Sequence, residues 1–170
     1  CHSTNLQKGY DVQTDVYNTT YDVLNVSCES CHGPGKNHVE YAGSDAYKKG
    51  EKVAHSFMKL GKNSGQIAQI NTCMPCHAVQ NGVDAQKING VDLMDNYVPM
   101  VPTTERFYAD GQVREEDYNY ASFLQSKMFS RGIECGNCHN VHIGKLVLAG
   151  NKACMQCHTP NYDSPSHTFH

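Results

Sequence analysis

The sequence has no long apolar run and no excess of basic residues, and each absence excludes a class of protein. Its 170 residues include 14 Lys and Arg against 17 Asp and Glu, for a formal net charge of −3. A chain with this balance and no basic patch is not expected to bind nucleic acid. No apolar stretch approaches the roughly 20 residues of a membrane-spanning helix, so no transmembrane segment is expected.

Apolar side chains are also too few to build a large core. Only 39% of the residues are hydrophobic, and the mean hydropathy is −0.58. A core made of side chains alone would be thin at this length.

No signal peptide is recognisable, and we therefore expect the sequence to be a mature or trimmed form, or a fragment of a longer chain.

What the sequence does have is nine cysteines, eight of them in the pattern Cys-x-x-Cys-His. The four motifs are Cys28/Cys31/His32, Cys73/Cys76/His77, Cys135/Cys138/His139 and Cys154/Cys157/His158. Paired cysteines alone are also compatible with zinc sites of four cysteines, with a redox pair or with disulfides. The histidine after every pair favours haem c, in which two thioethers hold the porphyrin and the histidine is the proximal iron ligand. Porphyrins would then supply much of the buried apolar surface.

The chain also begins with Cys1-His2, which matches the end of a fifth motif. One interpretation is a fifth haem whose motif lacks its first three residues. A second is a haem held by a single thioether, and a third is an acylated N-terminal cysteine. We predict a fifth haem, because the histidine count agrees with it.

The ten histidines divide into two groups of five. Those that follow a motif cysteine are the predicted proximal ligands: His2, His32, His77, His139 and His158. The remaining five are His38, His55, His142, His167 and His170. Five six-coordinate haems need five distal ligands, so we predict that each of these histidines binds iron. A methionine could replace one of them, although methionine more often packs against a ring.

Spacing restrains which haem each distal histidine can serve. His142 lies three residues after His139, and His38 lies six after His32. A chain spans at most about 3.5 Å per residue, which is too short for His142 to reach the far face of the haem on its own motif. We therefore expect His142, and also His38, to bind a neighbouring haem, which forces the haems close together.

Local patterns predict a mainly α fold with much irregular structure, in a single domain over residues 1–170. Residues 3–27 are predicted to form an irregular arm. Helices are predicted over 44–60, capped by Ser44 or Asp45, ended at Gly61 and carrying His55, over 64–80, and from about 115 to 131, ended by Gly132. Asp110-Gly111 predicts a short β-hairpin near 106–113. Tyr120, Leu124 and Met128 would share one helix face, packed against a haem.

Four segments resemble bacterial multihaem c-type cytochromes, near the tetrahaem cytochrome linked to hydroxylamine oxidation and longer cytochromes with tetratricopeptide repeats. They are residues 28–38 (CESCHGPGKNH), 120–128 (YASFLQSKM), 135–142 (CGNCHNVH) and 159–170 (TPNYDSPSHTFH). The resemblance implies a fold organised around stacked haems with two histidines on each iron. It also implies distal-ligand roles for His38, His142, His167 and His170, whereas the prediction for His55 rests on counting alone.

Together, the motifs and the resemblance lead us to expect an electron carrier rather than an enzyme. Haem c is attached outside the cytoplasm, so we expect a periplasmic or extracellular location and redox proteins as partners. Assembly into a conducting filament is one version of this function. The alternative is a redox enzyme that acts on a small nitrogen or sulfur compound at one five-coordinate haem, as would follow if His55 were not a ligand.

Overall fold

The computed structural model describes residues 2–51, 64–83 and 92–168, with the backbone alone at 167 and 168. In chain order the helices are α1 (Cys28–His32), α2 (Lys36–Ala42), α3 (Asp45–Lys48), α4 (Gln66–His77), α5 (Leu93–Asn96), α6 (Tyr120–Gln125), α7 (Lys127–Ser130), α8 (Cys135–Cys138) and α9 (Pro165–Thr168). Two 3-10 helices cover Gly150–Gln156 and Pro160–Tyr162. Short helices joined by long irregular connections confirm the expected mainly α fold class.

The strands are short and pair two by two, all antiparallel. The pairs are β1 (Ser3–Thr4) with β4 (Val23–Leu24), β2 (Tyr10–Asp11) with β3 (Val16–Tyr17), β5 (Gln80–Gly82) with β6 (Tyr97–Pro99), and β7 (His139–Asn140) with β8 (Lys145–Leu146). No pair extends beyond two strands in the described ranges. Such small sheets are not independently stable, so each depends on the groups packed around it.

The prediction of an irregular arm over residues 3–27 was wrong, because this segment folds back on itself as a broken β-ladder. The β1–β4 pair and the β2–β3 pair are joined by an isolated bridge between Gln7 and Thr20. At the tip, the Asp11 carboxylate accepts the amide hydrogens of Gln13 and Thr14, which lowers its pKa. This side-chain-stabilised turn reverses the chain.

The helix predicted over 44–60 was correct at its start and wrong in its length. Ser44 caps α3, as its hydroxyl accepts the amide hydrogen of Tyr47 at 3.2 Å. The helix ends at Lys48 because Gly50 takes a left-handed conformation (φ 73°). The amide of Gly50 bonds to the carbonyl of Tyr47 and that of Glu51 to the carbonyl of Ala46, the pattern of a Schellman C-cap. His55 and Gly61 lie outside the described residues.

Helix α4 confirms the helix predicted over 64–80 and contributes to the main hydrophobic cluster of the described residues. Ile70 and Met74 from α4 pack with Ala78, Leu93 and Tyr97, and all five are buried. Tyr120, Phe123, Phe129 and Cys135 are half-buried against this cluster. The core therefore joins α4 to α5, α6, α7 and α8 around the second and third motifs.

The hairpin near 106–113 is confirmed as a single antiparallel bridge between Phe107 and Val113. The amide of Gly111 bonds to the carbonyl of Tyr108, and Gly111 has a φ of 87°. A positive φ at this position favours glycine, so Asp110-Gly111 marks the turn as expected.

The helix predicted from about Glu115 to Arg131 was correct at its end, but it starts later than predicted and is interrupted. Helix α6 starts only at Tyr120, because the buried Asp117 carboxylate accepts the amide hydrogen of Ser122 and ends the preceding loop. Ser126 then interrupts the helix with an extended backbone and caps α7 through the amide of Phe129. At the C-terminal end of α7, Gly132 (φ 78°) stops the helix as predicted.

The interruption also divides the predicted stripe of Tyr120, Leu124 and Met128. Tyr120 and Leu124 line an apolar cavity of about 240 Å³, together with Met94 and Met100. Met128 follows the break and is 48% exposed.

In the described ranges, no helix is both long enough and apolar enough to cross a membrane.

Thr4 joins the N-terminal ladder to the first motif. Its side-chain oxygen lies 2.9 Å from the Asn25 carbonyl oxygen and 2.8 Å from the Ser30 hydroxyl, and it accepts the amide hydrogen of Ser27 at 3.0 Å. Thr4 is only 6% exposed. Because Ser27 is the N-cap of α1, this network holds the helix of the first motif against β1.

We predict that Thr4→Val lowers the free energy of unfolding by about 1–3 kcal/mol, because valine keeps the shape but leaves buried partners unpaired. Urea unfolding of the haem-loaded protein, followed by far-UV circular dichroism, measures this change. The matched control is Thr19→Val, since Thr19 is exposed and donates one hydrogen bond, to the Lys8 carbonyl. A loss no larger than that of the control would contradict the role assigned to Thr4.

Candidate haem-binding site

Each of the four motifs sits at a helical turn that places its two cysteines on one side. The first motif forms α1, the second ends α4, the third forms α8, and the fourth spans the end of the 3-10 helix Gly150–Gln156. Residues three apart on a helical turn are neighbours. The spacing therefore brings the two cysteines of each motif to the same side of its turn.

The cysteines do not form the alternative sites that the sequence left open. None of the eight motif cysteines, all of which lie in described ranges, takes part in a disulfide. In the described part of the chain, no three Cys, His, Asp or Glu side chains converge as they would around a metal ion. The described residues therefore give no support to zinc sites of four cysteines.

The eight motif cysteines differ in how far the polypeptide covers them. Haems enclosed by a core of side chains would need all eight to be buried. Four are half-buried: Cys31, Cys73, Cys135 and Cys138. The other four are exposed: Cys28, Cys76, Cys154 and Cys157. Because few apolar side chains are available, the protein half-buries both cysteines of the third motif and leaves both of the fourth exposed. An attachment cysteine must be open on the side where the porphyrin binds, so this exposure is compatible with thioether formation.

The exposed second cysteines of two motifs are nevertheless held by the backbone of their turns. Cys76 lies in the last turn of α4, near Tyr97. Burial raises the pKa of the Tyr97 hydroxyl, and a thiolate at Cys76 raises it further. Cys157 follows the 3-10 helix Gly150–Gln156, and its amide bonds to the Cys154 carbonyl at 3.2 Å. The predicted attachment roles of Cys76 and Cys157 thus depend on defined turns rather than on burial.

The first motif is fixed on both sides by its own sequence. After His32, Gly33 has a φ of 77° and its amide bonds to the Glu29 carbonyl at 3.0 Å. The Glu29 carboxylate also accepts the amide hydrogen of Gly35 at 2.7 Å. The glycines that follow the motif therefore fold back on α1 and set the direction in which His38, exposed on α2, leaves it.

The third motif is capped by its own side chains. The amide of Glu134 donates to the side-chain oxygen of Asn137 at 2.7 Å, and the Glu134 carboxylate in turn caps the first turn of α8. This reciprocal capping satisfies amide groups that a short helix cannot satisfy internally. Cys135 and Cys138 are thereby held on a defined turn.

The second and third motifs are in direct contact. Gln69 of α4 accepts the amide hydrogen of Gly136 at 2.9 Å and donates to the Glu134 carboxylate. Gln66, one turn earlier, donates to the carbonyls of Phe129 and Ile133 at 2.9 and 2.7 Å. These two glutamines attach α4 to the segment that leads into and through the third motif.

At the same contact, the first cysteines of the two motifs touch. As thiols, Cys73 donates a hydrogen bond to the sulfur of Cys135, which raises the pKa of Cys73 and lowers the pKa of Cys135 to about 7. Burial, above all, raises the pKa of Cys31. Haem attachment replaces these thiols by thioethers, so the lasting consequence is geometric: two predicted attachment points are neighbours.

The third motif also lies beside the fourth and the first. The Gln156 amide group donates to the Asn137 carbonyl at 3.4 Å, which links the turns of the last two motifs. The ring of His142, which follows the third motif, lies 6.2 Å from the ring of His32 in the first, with the ring planes 9° from parallel. The first, second and fourth motifs therefore converge on the third, which is built on α8.

Among the described residues, the other predicted histidine ligands show no ring contact with one another. His2, His38, His77 and His139 are exposed. His158 is exposed and makes an edge contact with the ring of Tyr162, with the centroids 5.1 Å apart. Cys1, His55 and His170 lie outside the described residues, as does the side chain of His167.

A further observation is compatible with a bound haem. Large apolar side chains are exposed around the third motif: Val141, Ile143, Leu146, Val147 and Leu148. A porphyrin attached at the motif cysteines would supply the apolar surface that such side chains need.

Sequence reasoning missed the residues that position the motifs. Thr4, Gln66 and Gln69 carry no motif, and their partners are distant in sequence. The Glu134–Asn137 capping pair had a local signal, since two polar residues three apart at the start of a helix are typical of capping.

One comparison with known proteins gives a match, and it covers the N-terminal part of the chain. A family model described as cytochrome c554 and c-prime matches residues 1–33, which include Cys1, His2 and the first complete motif. This match supports a c-type cytochrome, with haem c as the cofactor and a general role in carrying electrons. No curated protein and no solved structure matches the chain.

We predict that Gln69→Leu weakens the contact between the second and third motifs and lowers the free energy of unfolding by about 1–2 kcal/mol, since the Gly136 amide loses its acceptor. Chemical denaturation of the haem-loaded protein measures the loss. Gln112→Leu is the matched control, because Gln112 is exposed and its side chain bonds only to the neighbouring Asp110. Equal effects of the two substitutions would show that Gln69 does not hold the motifs together.

Proposed function

We propose that the chain transfers electrons through five closely packed, covalently bound haems c, each with two histidine ligands, as part of a fold organised around stacked haems. Bound haem c supplies a one-electron iron couple. The protein supplies the attachment cysteines, the axial histidines and the spacing between neighbouring sites. Four haems correspond to the complete motifs, and the fifth corresponds to Cys1 and His2.

The observation that carries this proposal is the convergence of the motifs on the third one. Cys135 contacts Cys73 of the second motif, Asn137 accepts a hydrogen bond from Gln156 of the fourth, and His142 faces His32 of the first. Electron tunnelling slows steeply with distance, so attachment points in contact favour rapid transfer. A protein that used only one haem would not need this arrangement.

The N-terminal residues extend the same arrangement to the proposed fifth haem. The carbonyl of His2 accepts the amide hydrogen of Asn25 at 2.9 Å, three residues before Cys28. The Thr4 network then joins β1 to α1. The partial motif and the first complete motif are thus neighbours as well.

Ligation by two histidines defines the chemistry that we propose. An imidazole in place of a methionine favours a lower reduction potential. Two axial protein ligands also leave no coordination position for a substrate, which supports a carrier rather than an enzyme. The rival function, reduction or oxidation of a small nitrogen or sulfur compound, requires one five-coordinate iron.

The place of action follows from the cofactor. Haem c is attached outside the cytoplasm, so we propose a periplasmic or extracellular carrier that exchanges electrons with other redox proteins. A chain of contacting haems that reaches the surface at both ends would also allow end-to-end assembly into a filament. Measurement of oligomeric state in solution distinguishes the filament from a single carrier.

Haem content and spin state test the proposed function directly. We expect the pyridine haemochrome to give five haems per chain, and the electron paramagnetic resonance (EPR) spectrum of the oxidised protein to show only low-spin iron. A high-spin ferric signal from one haem in five would instead support the enzyme and would remove His55 from the set of ligands.

Removal of the cofactor tests how far the fold depends on it. We predict that the chain produced without haem attachment shows no cooperative unfolding transition, because the described core contains few buried apolar side chains. Far-UV circular dichroism during urea titration measures this, with the haem-loaded protein as the control. A cooperative transition in the haem-free chain would show that side-chain packing alone suffices.

A further inference from the structure

The rings of His32 and His142 come together from distant parts of the sequence. His32 ends α1 and is half-buried, while His142 is exposed. Their ring centroids are 6.2 Å apart and their planes are 9° from parallel. Because nothing in the local sequence of either residue requires the other, this pairing is set by the fold.

The separation matches that of two imidazoles on opposite faces of one iron. Each metal–nitrogen bond is about 2 Å long, and the centre of an imidazole lies about 1 Å beyond its nitrogen, which places two opposed ring centres about 6 Å apart. In a face-to-face stack, by contrast, the ring planes would lie at contact distances of about 3.5–4 Å.

The β7–β8 hairpin explains how His142 is held in this position. His142 lies in the turn between β7 and β8, beside Gly144 with a φ of 62°. The amide of Ile143 bonds to the Asn140 carbonyl at 3.2 Å, and that of Val147 to the Cys138 carbonyl at 2.9 Å. The turn is therefore anchored to the third motif while it presents His142 to the first.

His142 is too close in sequence to the third motif to be the distal ligand of the haem attached to that motif. Three residues after His139, His142 cannot pass around a porphyrin edge to the far face of the haem held by Cys135 and Cys138. His38, six residues after His32, is exposed on α2. The histidine whose ring lies opposite that of His32 is His142.

We propose that His142 is the distal ligand of the haem attached to Cys28 and Cys31, opposite His32. This assignment rests on the proposed haem loading and goes beyond it, since it joins two motifs through one iron. It predicts a haem whose two imidazole planes are nearly parallel, which gives a rhombic low-spin EPR signal rather than the strongly anisotropic signal of perpendicular planes.

The first test removes the ligand from the haem-loaded full chain. We expect His142→Ala to convert one haem in five from low to high spin, with loss of one rhombic component, and to create one site that binds carbon monoxide when reduced. Lys145→Ala is the matched control on the same hairpin, because Lys145 is exposed, and it should leave all haems low-spin. Absence of a new high-spin haem in His142→Ala would show that His142 is not a ligand.

A single-thioether label then identifies which haem has lost its ligand. Cys28→Ala leaves one vinyl group of the first haem unreacted, which shifts the absorption of that haem to longer wavelength. In the His142→Ala background, the carbon monoxide complex should carry this shift with Cys28→Ala and lack it with Cys154→Ala, which labels the fourth haem. Both labelled cysteines are exposed, so the two variants are comparable in structural cost.

The outcomes separate this assignment from the function on which it rests. An unshifted complex with Cys28→Ala would place His142 on another haem and overturn the assignment, with five haems still present. Too few haems in the unmodified protein would overturn the proposed function before any variant is made. If His142→Ala does not fold, His142→Met keeps an axial ligand, and its iron–sulfur absorption band should shift with Cys28→Ala in the same way.

Discussion

The packing of α4 against the segment of the third motif is the contact on which the described structure depends. The same twelve-residue helix carries Ile70 and Met74 in the core, Gln66 and Gln69 in the contact with residues 129–136, and the second motif at its end. Hydrophobic burial and hydrogen bonding therefore act on one element. The polar contacts fix the register that apolar packing alone would leave free.

This contact also explains why a thin core is compatible with a defined arrangement of motifs. Few described side chains are buried, and many large apolar ones are exposed. The protein consequently specifies the positions of its attachment points by short capped turns and by individual hydrogen bonds, such as those of Thr4 and Glu134. Cys76 and Cys157 are also exposed, yet each lies in a turn of defined conformation. In the proposed function, haems provide the apolar bulk between these points.

Local sequence signals predicted local structure well. The cap at Ser44, the end of a helix at Gly132 and the turn at Asp110-Gly111 all appear where they were expected, because each depends on the conformation of a few adjacent residues. The long helices predicted around 44–60 and 115–131 failed for a related reason. Gly50 and Ser126, which lie inside the predicted ranges, interrupt these helices locally.

The sequence by itself determined the attachment chemistry that we propose, since a thioether pair and its adjacent histidine require only the spacing Cys-x-x-Cys-His. It also determined how many histidines are available as the proposed distal ligands, which is a matter of composition. Only the tertiary structure decided which motifs are neighbours, and that His142 faces His32. The physical reason is that attachment chemistry acts within five residues, whereas the contacts of Thr4, Gln69 and His142 join segments whose approach depends on the packing of the whole chain.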